Sequence, residues 1–447
     1  MSDHSDPAWH VHTCLDRCLS DSRPFALGYS GGGDSHALLC LAADWAKARA
    51  SRLYALIVDH GLRPESRTEA EAAAASARRL GAEPVILNWT GEKPVSGISA
   101  AARNARHSLL AEACRGLGIE HLLLAHTLDD QNETVLMRLQ AGGGWRGCAG
   151  MSEVSVSPIW PEGRGIALVR PLLGVRRQAL RDYLVARGET WIDDPSNLDR
   201  HYARIRARQS LERMEAAGLQ PGRFAALARE LMAISRAERQ AAAAFGQDAV
   251  HFHDWGGAEL DARRLTQAEP VIRRRILAAA AMAVSGNRAP ASGAALDQLA
   301  ARLVAGRSGT AAGVQILQWR GSSWMIRDPG AVLGRVDHAV ANAVALPVGR
   351  AMVWDGRYEI ETSTRNIIAE PLGAAYTGLD DKSGLEAVPG QARAGLLSLR
   401  RDGEVLAVPG VRAHADVRIA PLMEHRYCTR LAQRAPAEPL RAEPMAV

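Results

Sequence analysis

The feature that most constrains this chain is the glycine-rich hexapeptide Ser-Gly-Gly-Gly-Asp-Ser at residues 30–35. An apolar run at 25–29 precedes it and a second apolar run at 37–41 follows it, which predicts the order strand, tight turn and helix. Glycines let backbone amides approach an anion closely, and the helix that they open adds the positive end of its dipole. The hexapeptide therefore predicts an α/β fold that binds phosphate at this turn.

The turn differs from an ordinary P-loop because it has no lysine and carries an acid, Asp34. A carboxylate beside phosphates is electrostatically tolerable only if a divalent cation lies between them, and Mg2+ prefers such oxygen ligands. We therefore expect a metal–pyrophosphate site in which Asp34 is the Mg2+ ligand. A glycine-rich hairpin turn is the alternative interpretation. The residues expected to contact the phosphates are Ser30, Gly31, Gly32, Gly33, Asp34 and Ser35.

Short apolar runs alternate with helical patterns in the first third of the chain. This alternation is typical of βαβ units and a parallel sheet, which binds ligands at the carboxyl ends of its strands. Besides the glycine-rich turn, the polar clusters 59–63 and 126–134 follow two of these runs, so we expect all three to face one crevice. The four runs are 25–29, 53–58, 84–87 and 121–125.

The cluster 126–134 contains paired acids. If a helix begins near Leu128, Asp130, Glu133 and Thr134 lie at i, i+3 and i+4 and share one face. In a generic acidic helix start these acids would only compensate the helix dipole, but beside a phosphate-binding turn we expect them to point into the crevice.

Two histidines at predicted strand ends, His60 and His126, allow two interpretations. Each could reach a nucleotide, or each could form a hydrogen bond with a loop backbone. Their spacing from other histidines and cysteines does not match a zinc site.

Composition limits the class of protein. With 447 residues, 47% hydrophobic and 23% charged, the chain is expected to form two or three globular domains. We expect neither a signal peptide nor a membrane span, because the N-terminal region is polar and no apolar run is long enough, and we therefore predict a cytoplasmic protein. Six scattered cysteines predict free thiols. A net charge of +5 gives weak support for a nucleic-acid partner.

Taken together, the motifs resemble a known family. His-x-x-Asp-Asp-Gln-x-Glu-Thr after Ser-Gly-Gly-x-Asp-Ser is similar to the tRNA(Ile)-lysidine synthetase branch of the ATP pyrophosphatase (PP-loop) family, and 58–63 matches that branch too. The resemblance is continuous over roughly residues 20–215, and beyond them it extends only to the general layout. A third matching block contains Arg170-Pro171-Leu172-Leu173, Arg177, Tyr183, Trp191-Ile192-Asp193-Asp194-Pro195-Ser196-Asn197, Asp199, Tyr202 and Arg204.

The resemblance implies an ATP-dependent ligase. ATP would adenylate the C2 oxygen of the wobble cytidine of tRNA(Ile) with a CAU anticodon and release pyrophosphate. Free L-lysine would then displace AMP to form lysidine, which changes codon recognition from AUG to AUA. The implied cofactors are ATP and Mg2+, and a homodimer is one option. The resemblance implies catalytic roles for Asp34, Asp130, Glu133 and Arg106, nucleotide contacts for His60, Arg63 and His126, and substrate contacts for Arg103, Asp130, Glu133, Arg170, Asn197, Tyr202 and Arg204.

Several questions stay open at this stage. The resemblance does not say which acid holds lysine and which holds Mg2+, and a solvated helix face is the alternative for Arg103 and Arg106. Other candidate functions are a PP-loop tRNA 2-thiolation enzyme, which needs cysteines that carry sulfur, and a non-catalytic nucleotide-gated RNA-binding protein, which does not need the acids. The chain departs from the usual family residues at Ser99, His107, Ala141 and Ile205.

The domain organisation follows from changes in pattern. Turn residues at 218–222 end the PP-loop domain, 1–218. Helical spacing at 223–246, 267–284 and 294–305 predicts a small helical tRNA-binding domain, 219–312. Short strand patterns then predict an α+β or β-rich C-terminal module, 313–447, in which Arg393, Arg400 and Arg401 could contact phosphates or form a solvated basic face. The strand patterns are 314–319, 323–327, 353–362 and 396–400.

Overall fold

A computed structural model describes eight segments of the chain. They form two compact units, one that ends at residue 236 and one that begins at residue 237. Each unit has its own buried hydrophobic cluster and is considered by itself. The described segments are 6–19, 23–91, 93–94, 96–192, 203–220, 222–334, 343–378 and 383–432.

The first unit alternates strands and helices, as the sequence predicts. Each of the four predicted apolar runs forms a strand. The elements are α1 (Pro7–Cys18), β1 (Phe25–Gly28), α2 (Gly33–Ala48), β2 (Leu53–Asp59), α3 (Ser66–Arg79), β3 (Glu83–Asn88), α4 (Ile98–Gly116), β4 (His121–Leu123), α5 (Leu128–Gln140), α6 (Trp145–Cys148), β5 (Val154–Val156), β6 (Ala167–Val169), α7 (Arg177–Ala186), α8 (Ala203–Ala216) and α9 (Arg223–Gly246), the last of which continues into the second unit.

The first sheet has the strand order β3-β2-β1-β4-β6-β5, and β1 is one of its two middle strands. It pairs in parallel with β2 on one side and with β4 on the other, and Leu27 lies opposite Ala55 and Leu123. The strand order thus reverses at β1, since the chain adds β2 and β3 on one side and β4 on the other. Open α/β sheets form their ligand crevice at such a switch point, and the glycine-rich turn lies there.

Helix α2 is anchored by its apolar side chains. Leu38, Leu39 and Trp45 are almost completely buried among residues of β1, α1 and α7. The indole Nε1 of Trp45 also donates to Asp16 of α1 at 2.8 Å. Burial of this helix against the sheet therefore fixes its N-terminus at the end of β1.

The second unit contains three antiparallel sheets and several helices. Its elements are β7 (Val250–Phe252), β8 (Ala258–Leu260), α10 (Ala262–Gln267), α11 (Pro270–Ser285), α12 (Gly293–Val304), β9 (Gly309–Ala311), β10 (Val314–Trp319), β11 (Ser322–Arg327), α13 (Pro329–Leu333), β12 (Val344–Ala345), β13 (Met352–Trp354), β14 (Tyr358–Thr362), β15 (Ile368–Pro371), two 3-10 helices (Gly373–Gly378 and Ser383–Ala387), α14 (Gly390–Arg393), β16 (Leu397–Arg401), β17 (Glu404–Ala407), β18 (Val417–Pro421) and α15 (Met423–Ala432).

The predicted fold class is confirmed, with a parallel α/β sheet followed by helices and β-rich sheets. The sequence did not indicate β7 and β8; β8 pairs with β11 and β7 pairs with β8 in a five-stranded sheet. Each has only three residues, which are too few for an alternating pattern to be recognised in the sequence. Strands from both sides of residue 313 thus share one sheet, and the division at 218 and 312 stays a prediction. No helix in the described segments is long and apolar enough to cross a membrane.

Candidate active site

The glycine-rich turn is closed by its own two serines. The hydroxyl of Ser35 donates to the carbonyl oxygen of Gly32 at 2.9 Å and lies 3.0 Å from the hydroxyl of Ser30. Gly31 has a φ of +79°, in the left-handed region that favours glycine. The turn ends at the N-terminus of the 16-residue helix α2, where backbone amides and the helix dipole favour an anion.

Trp191 and Ile192, which follow α7 in the chain, cover the turn. The backbone N–H of Ile192 donates to the carbonyl oxygen of Gly31 at 3.0 Å. A Cβ added at Gly31 would lie 2.9 Å from Cδ1 of Ile192, and one added at Gly33 would lie 3.3 Å from the ring of Trp191. An added Cβ would therefore crowd Ile192 at Gly31 and Trp191 at Gly33, and at Gly31 the positive φ adds backbone strain.

The acidic helix α5 begins at Leu128, as predicted, and Asp130 helps to start it. The backbone N–H of Thr127 donates to Asp130 Oδ2 at 2.8 Å, and the N–H of Asp130 donates to the Thr127 hydroxyl at 3.3 Å. This reciprocal arrangement is a capping box. Asp130 therefore has a structural role at the helix start, while its other oxygen, Oδ1, accepts from arginines.

Glu133 is 1% exposed, and arginines from two helices surround its carboxylate. From α8, Nε of Arg204 donates to Oε2 and Nε of Arg208 donates to Oε1, each at 2.8 Å. Arg204 also lies 3.2 Å from Oδ1 of Asp130. The charge of this buried acid is thus compensated by specific ion pairs, as burial requires.

Arg177, the first residue of α7, joins the turn to the acidic helix. Its Nε donates to Oδ2 of Asp34 and its Nη2 donates to Oδ1 of Asp130, both at 3.0 Å. Its Nη1 lies 3.7 Å from Oε1 of Glu133. The predicted catalytic acids Asp34, Asp130 and Glu133 are therefore brought together around one guanidinium.

Burial and the arginines set the charge states of these acids. Burial raises the pKa of Asp34, and the attraction of Arg177 offsets this only in part. Burial also acts to raise the pKa of Asp130, but Arg204 and Arg177 outweigh it, so the net pKa lies below its ordinary value. Asp130 is thus the more firmly ionised of these two carboxyls.

Arg103, Arg106 and Arg170 form a basic cluster near Arg204. Burial, followed by repulsion from neighbouring arginines, lowers the pKa of both Arg103 and Arg106 on α4. Burial and Arg103 also lower the pKa of Arg170, to about 10. In the described segments neither Arg103 nor Arg106 has an ion pair with an acid, so this cluster has charge available for an anion such as phosphate.

His60 and His126 are neutral at neutral pH. Burial, followed by the charge of Arg106, lowers the pKa of His60, and burial followed by Arg170 lowers the pKa of His126 to about 3. Within the described segments, the Nδ1 atom of each ring is buried without a hydrogen-bond partner. Buried polar atoms are normally satisfied, so these two atoms favour ligand contact over contact with a loop backbone.

Not every predicted residue joins the cluster. Arg63 is exposed and pairs with Glu69 on α3 at 3.1 Å. Asn197 and Tyr202 lie outside the described residues, and nothing is described of the Ser99 side chain. Of the other three family departures, His107 and Ile205 are half-buried and Ala141 is exposed.

A second polar group lies behind the turn. Among the described residues, His36, Cys40 and Glu189 have potential metal-ligand atoms within 4.8 Å of one another. However, Nε2 of His36 lies 3.0 Å from Glu189, Nδ1 of His36 lies 2.9 Å from the Tyr29 hydroxyl, and Arg79 donates to both oxygens of Glu189. His36 and Glu189 are thus satisfied without a metal, and we assign the group as an ion network that anchors the segment after α7.

Sequence reasoning missed four positions that the structure brings to the candidate site. Arg177 stands out in the sequence only as part of the matching block, and the sequence indicates no role for Arg208, Trp191 or Ile192. Arg204 and Arg208 are four residues apart on α8, a helical spacing that aligns two arginines with one acid. No comparable signal relates Arg177 to Asp34, because these residues are 143 positions apart.

The chain is similar to known proteins over almost its full length. Residues 8–215 match the model of the PP-loop domain family. The tRNA(Ile)-lysidine synthase of Caulobacter vibrioides is 35% identical over 433 residues, which are 93% of this chain and 96% of that protein. The enzyme of the same name from Rhizobium meliloti is 33% identical, over 84% of this chain and 83% of its own length.

Two further matches cover about half of this chain. The tRNA(Ile)-lysidine synthase of Hyphomonas neptunium is 48% identical over 196 residues, which are 44% of this chain and 52% of that protein. Among solved structures, the U34-tRNA thiolase NcsA from Methanococcus maripaludis is 19% identical with a TM-score of 0.44, over 51% of this chain and 78% of that one.

Proposed function

This chain belongs to the tRNA(Ile)-lysidine synthase family, and from this premise we propose that it ligates lysine to C2 of the wobble cytidine of tRNA(Ile) with a CAU anticodon. ATP is converted to AMP and pyrophosphate, and the product reads AUA instead of AUG. The observation that carries this proposal is the convergence of Asp34, Asp130 and Glu133 on Arg177, at the carboxyl ends of parallel strands and beside a basic cluster.

The first step is adenylation of the tRNA. The C2 oxygen of the cytidine attacks the α-phosphorus, a new oxygen–phosphorus bond forms, and the bond to pyrophosphate breaks. Charge that develops on the phosphates is stabilised by the turn, residues 30–35, by the N-terminus of α2 and by Arg106. His60 and His126 are neutral donors or acceptors toward the nucleotide. Arg63 is a further proposed contact with the nucleotide.

Mg2+ fits beside the turn on the chemistry of its donor set. Asp34 and Asp130 each have a carboxylate oxygen 3.0 Å from the same guanidinium, so two hard oxygen ligands already converge on one cation. A bound Mg2+ supplies charge neutralisation and orientation of the leaving pyrophosphate. Asp34 is the proposed ligand, since it lies in the turn that contacts the phosphates.

The second step is transfer of lysine. Its ε-amine, with an ordinary pKa of about 10.4, arrives mostly protonated at neutral pH and must lose a proton before it attacks. Asp130 and Glu133 hold the ammonium groups, and one of these carboxylates accepts the proton. The nitrogen–carbon bond then forms at C2, and AMP leaves with the former cytidine oxygen.

The basic cluster is the proposed contact surface for the tRNA near its anticodon. Arg103 and Arg170 contact phosphates or the cytidine, and Asn197 and Tyr202 are further proposed substrate contacts. Arg204 orients the acids toward lysine. Of the C-terminal arginines, Arg400 pairs with Glu370 and Arg401 pairs with Asp416, which leaves them less free for tRNA phosphates. Binding of tRNA by the helical and C-terminal regions, and a homodimer, stay predictions.

Cys114 and Cys148 do not favour the alternative of sulfur transfer. Cys114 is fully buried, and burial raises the pKa of its thiol to about 12. Cys148 is also buried and donates to the carbonyl oxygen of Gly143 at 3.5 Å. Neither thiol has the exposure that a sulfur carrier needs.

The decisive experiment measures transfer of lysine to RNA. The protein is incubated with ATP, Mg2+, labelled lysine and a tRNA(Ile) transcript with a CAU anticodon, and label in the tRNA is counted. The matched control transcript has uridine in place of the wobble cytidine. We expect label only with cytidine and only with ATP, and equal labelling of both transcripts or none of either would contradict the proposed function.

A further inference from the structure

Arg177 is the one described residue whose side chain contacts both the acid of the phosphate-binding turn and the acids of the proposed lysine site. Its guanidinium uses Nε for Asp34 and Nη2 for Asp130, and Glu133 lies within 3.7 Å of Nη1. Arg204 contacts Asp130 and Glu133, and Arg208 contacts Glu133. Of the three acids, these two arginines contact only those on α5.

A guanidinium is planar and its donors point in fixed directions, so a single position of Arg177 serves Asp34 and Asp130 together. The ammonium group of a lysine substrate needs the same carboxylate oxygens. Lysine therefore competes with Arg177 directly for Asp130. At Glu133, whose oxygens accept from Arg204 and Arg208 at 2.8 Å, Arg177 contributes its charge from 3.7 Å. A site whose competent state is rarely populated binds its ligand more weakly by that fraction.

Binding of nucleotide changes this balance. Phosphate oxygens at the turn attract a guanidinium at least as strongly as carboxylates do, and Mg2+ occupies the carboxylate of Asp34. The phosphate oxygens draw Arg177 away from the acids of α5, and Mg2+ on Asp34 would free the Nε of Arg177 for a phosphate oxygen. Asp130 and Glu133 are then left with fewer positive partners, and their affinity for an ammonium group rises.

We propose that Arg177 couples nucleotide binding to lysine binding, because its guanidinium occupies the lysine-binding acids until Mg–ATP draws it toward the turn. This inference depends on the proposed function, since it takes lysine as the second substrate. Arg177 acts here as a positioning residue. It makes the lysine site available only after the nucleotide is in place, which is the order that the two half-reactions need.

The test measures lysine affinity by calorimetry without tRNA. Lysine is titrated into the full-length protein in Mg2+ alone and in Mg2+ with an ATP analogue that has a methylene bridge between its α- and β-phosphates. In the wild type we expect the analogue to tighten lysine binding about tenfold, within the usual range for coupled sites. In Arg177→Gln, lysine should bind about tenfold tighter without the analogue, and the analogue should change its affinity by less than about twofold.

The adjacent residue provides the control. Arg176 pairs with Asp129 and Glu215 instead of the three acids, so Arg176→Gln should keep wild-type coupling. The backbone N–H of residue 177 donates to Asp129 at 2.7 Å and is retained in every variant. If Arg177→Gln does not fold, Arg177→Lys tests the same point, because its ammonium group cannot serve two carboxylates as a fork and should reduce the coupling.

Two results would overturn the inference. One is equal lysine affinity in the wild type with and without the analogue, and the other is wild-type coupling in both Arg177 variants. The failure of the proposed function is a separate observation, since it appears as a wild-type protein that transfers no lysine to tRNA. A purely structural role for Arg177 predicts weaker lysine binding in Arg177→Gln, which is opposite in direction to the proposal.

Discussion

The backbone N–H of Ile192 donates to the carbonyl oxygen of Gly31 at 3.0 Å, so the segment after α7 is bonded directly to the phosphate-binding turn. The same segment is held from behind by Glu189, which pairs with Arg79 and His36. The conformation of the turn therefore depends on a part of the chain that lies about 160 residues later in the sequence and is not part of the glycine-rich motif.

Gly31→Ala should weaken ATP binding about tenfold. The new Cβ would lie 2.9 Å from Ile192 in a residue whose φ is +79°, and such strain costs about 1 to 2 kcal/mol. ATP affinity and the thermal midpoint are measured together. Gly81→Ala is the control, because Gly81 has a φ of +85° and open space around its Cβ. It should lose stability but keep its ATP affinity, and an equal loss of affinity in both variants would contradict the argument.

Asp34→Ala should reduce Mg2+-dependent pyrophosphate release by about 100-fold or more while the protein remains folded, since metal stabilisation of phosphoryl charge contributes several kcal/mol. Pyrophosphate release and thermal melting are compared with those of the wild type. Asp44→Ala on the same helix, where Asp44 pairs with Arg187 near the surface, should retain activity. Near-normal turnover in Asp34→Ala would show that Asp34 does not bind the metal.

Glu133→Gln should separate the two half-reactions. Adenylated tRNA should still form, but lysine transfer should fall by about 100-fold, because an amide neither holds an ammonium group nor accepts its proton. A quenched single-turnover assay follows both products. Asp130→Asn is a less clean variant, since Asp130 also forms the capping box of α5. Equal loss of both steps in Glu133→Gln would assign this acid to the nucleotide instead.

Glu189→Gln should destabilise the protein in a pH-dependent way. Hydrogen bonds from Arg79 lower the pKa of Glu189 from 4.5 to about 2. Burial opposes this shift in part, and the hydrogen bond with His36 adds to it. An acid whose pKa is lowered in the folded protein stabilises that state at pH values above its ordinary pKa. This stabilisation is lost as the pH falls toward the pKa of the folded state.

The difference in thermal midpoint between wild type and Glu189→Gln should thus be constant near neutral pH and shrink between about pH 5 and pH 2. Glu83→Gln, which removes an exposed pair with Arg52, should show little difference at any pH. A difference for Glu189→Gln that is independent of pH would exclude this ion network as its cause.

Much of the candidate site was predictable because it follows short-range rules. The turn at 30–35 needs glycines for its backbone and an adjacent helix for its dipole, and Asp130 and Glu133 share a face through helical spacing alone. The four parallel strands followed from apolar runs of ordinary length. The strands β7 and β8 were not predictable, since three residues carry too little pattern.

The sequence by itself determined the motifs, the α/β start of the fold and the family resemblance, because each depends on residues close together along the chain. Only the tertiary structure decided which charges meet. Arg177 is separated from Asp34 by 143 positions and from Asp130 by 47, and no local pattern records such a contact. The packing of α2 and α7 against the same sheet decides it, because this packing brings the three acids to one guanidinium.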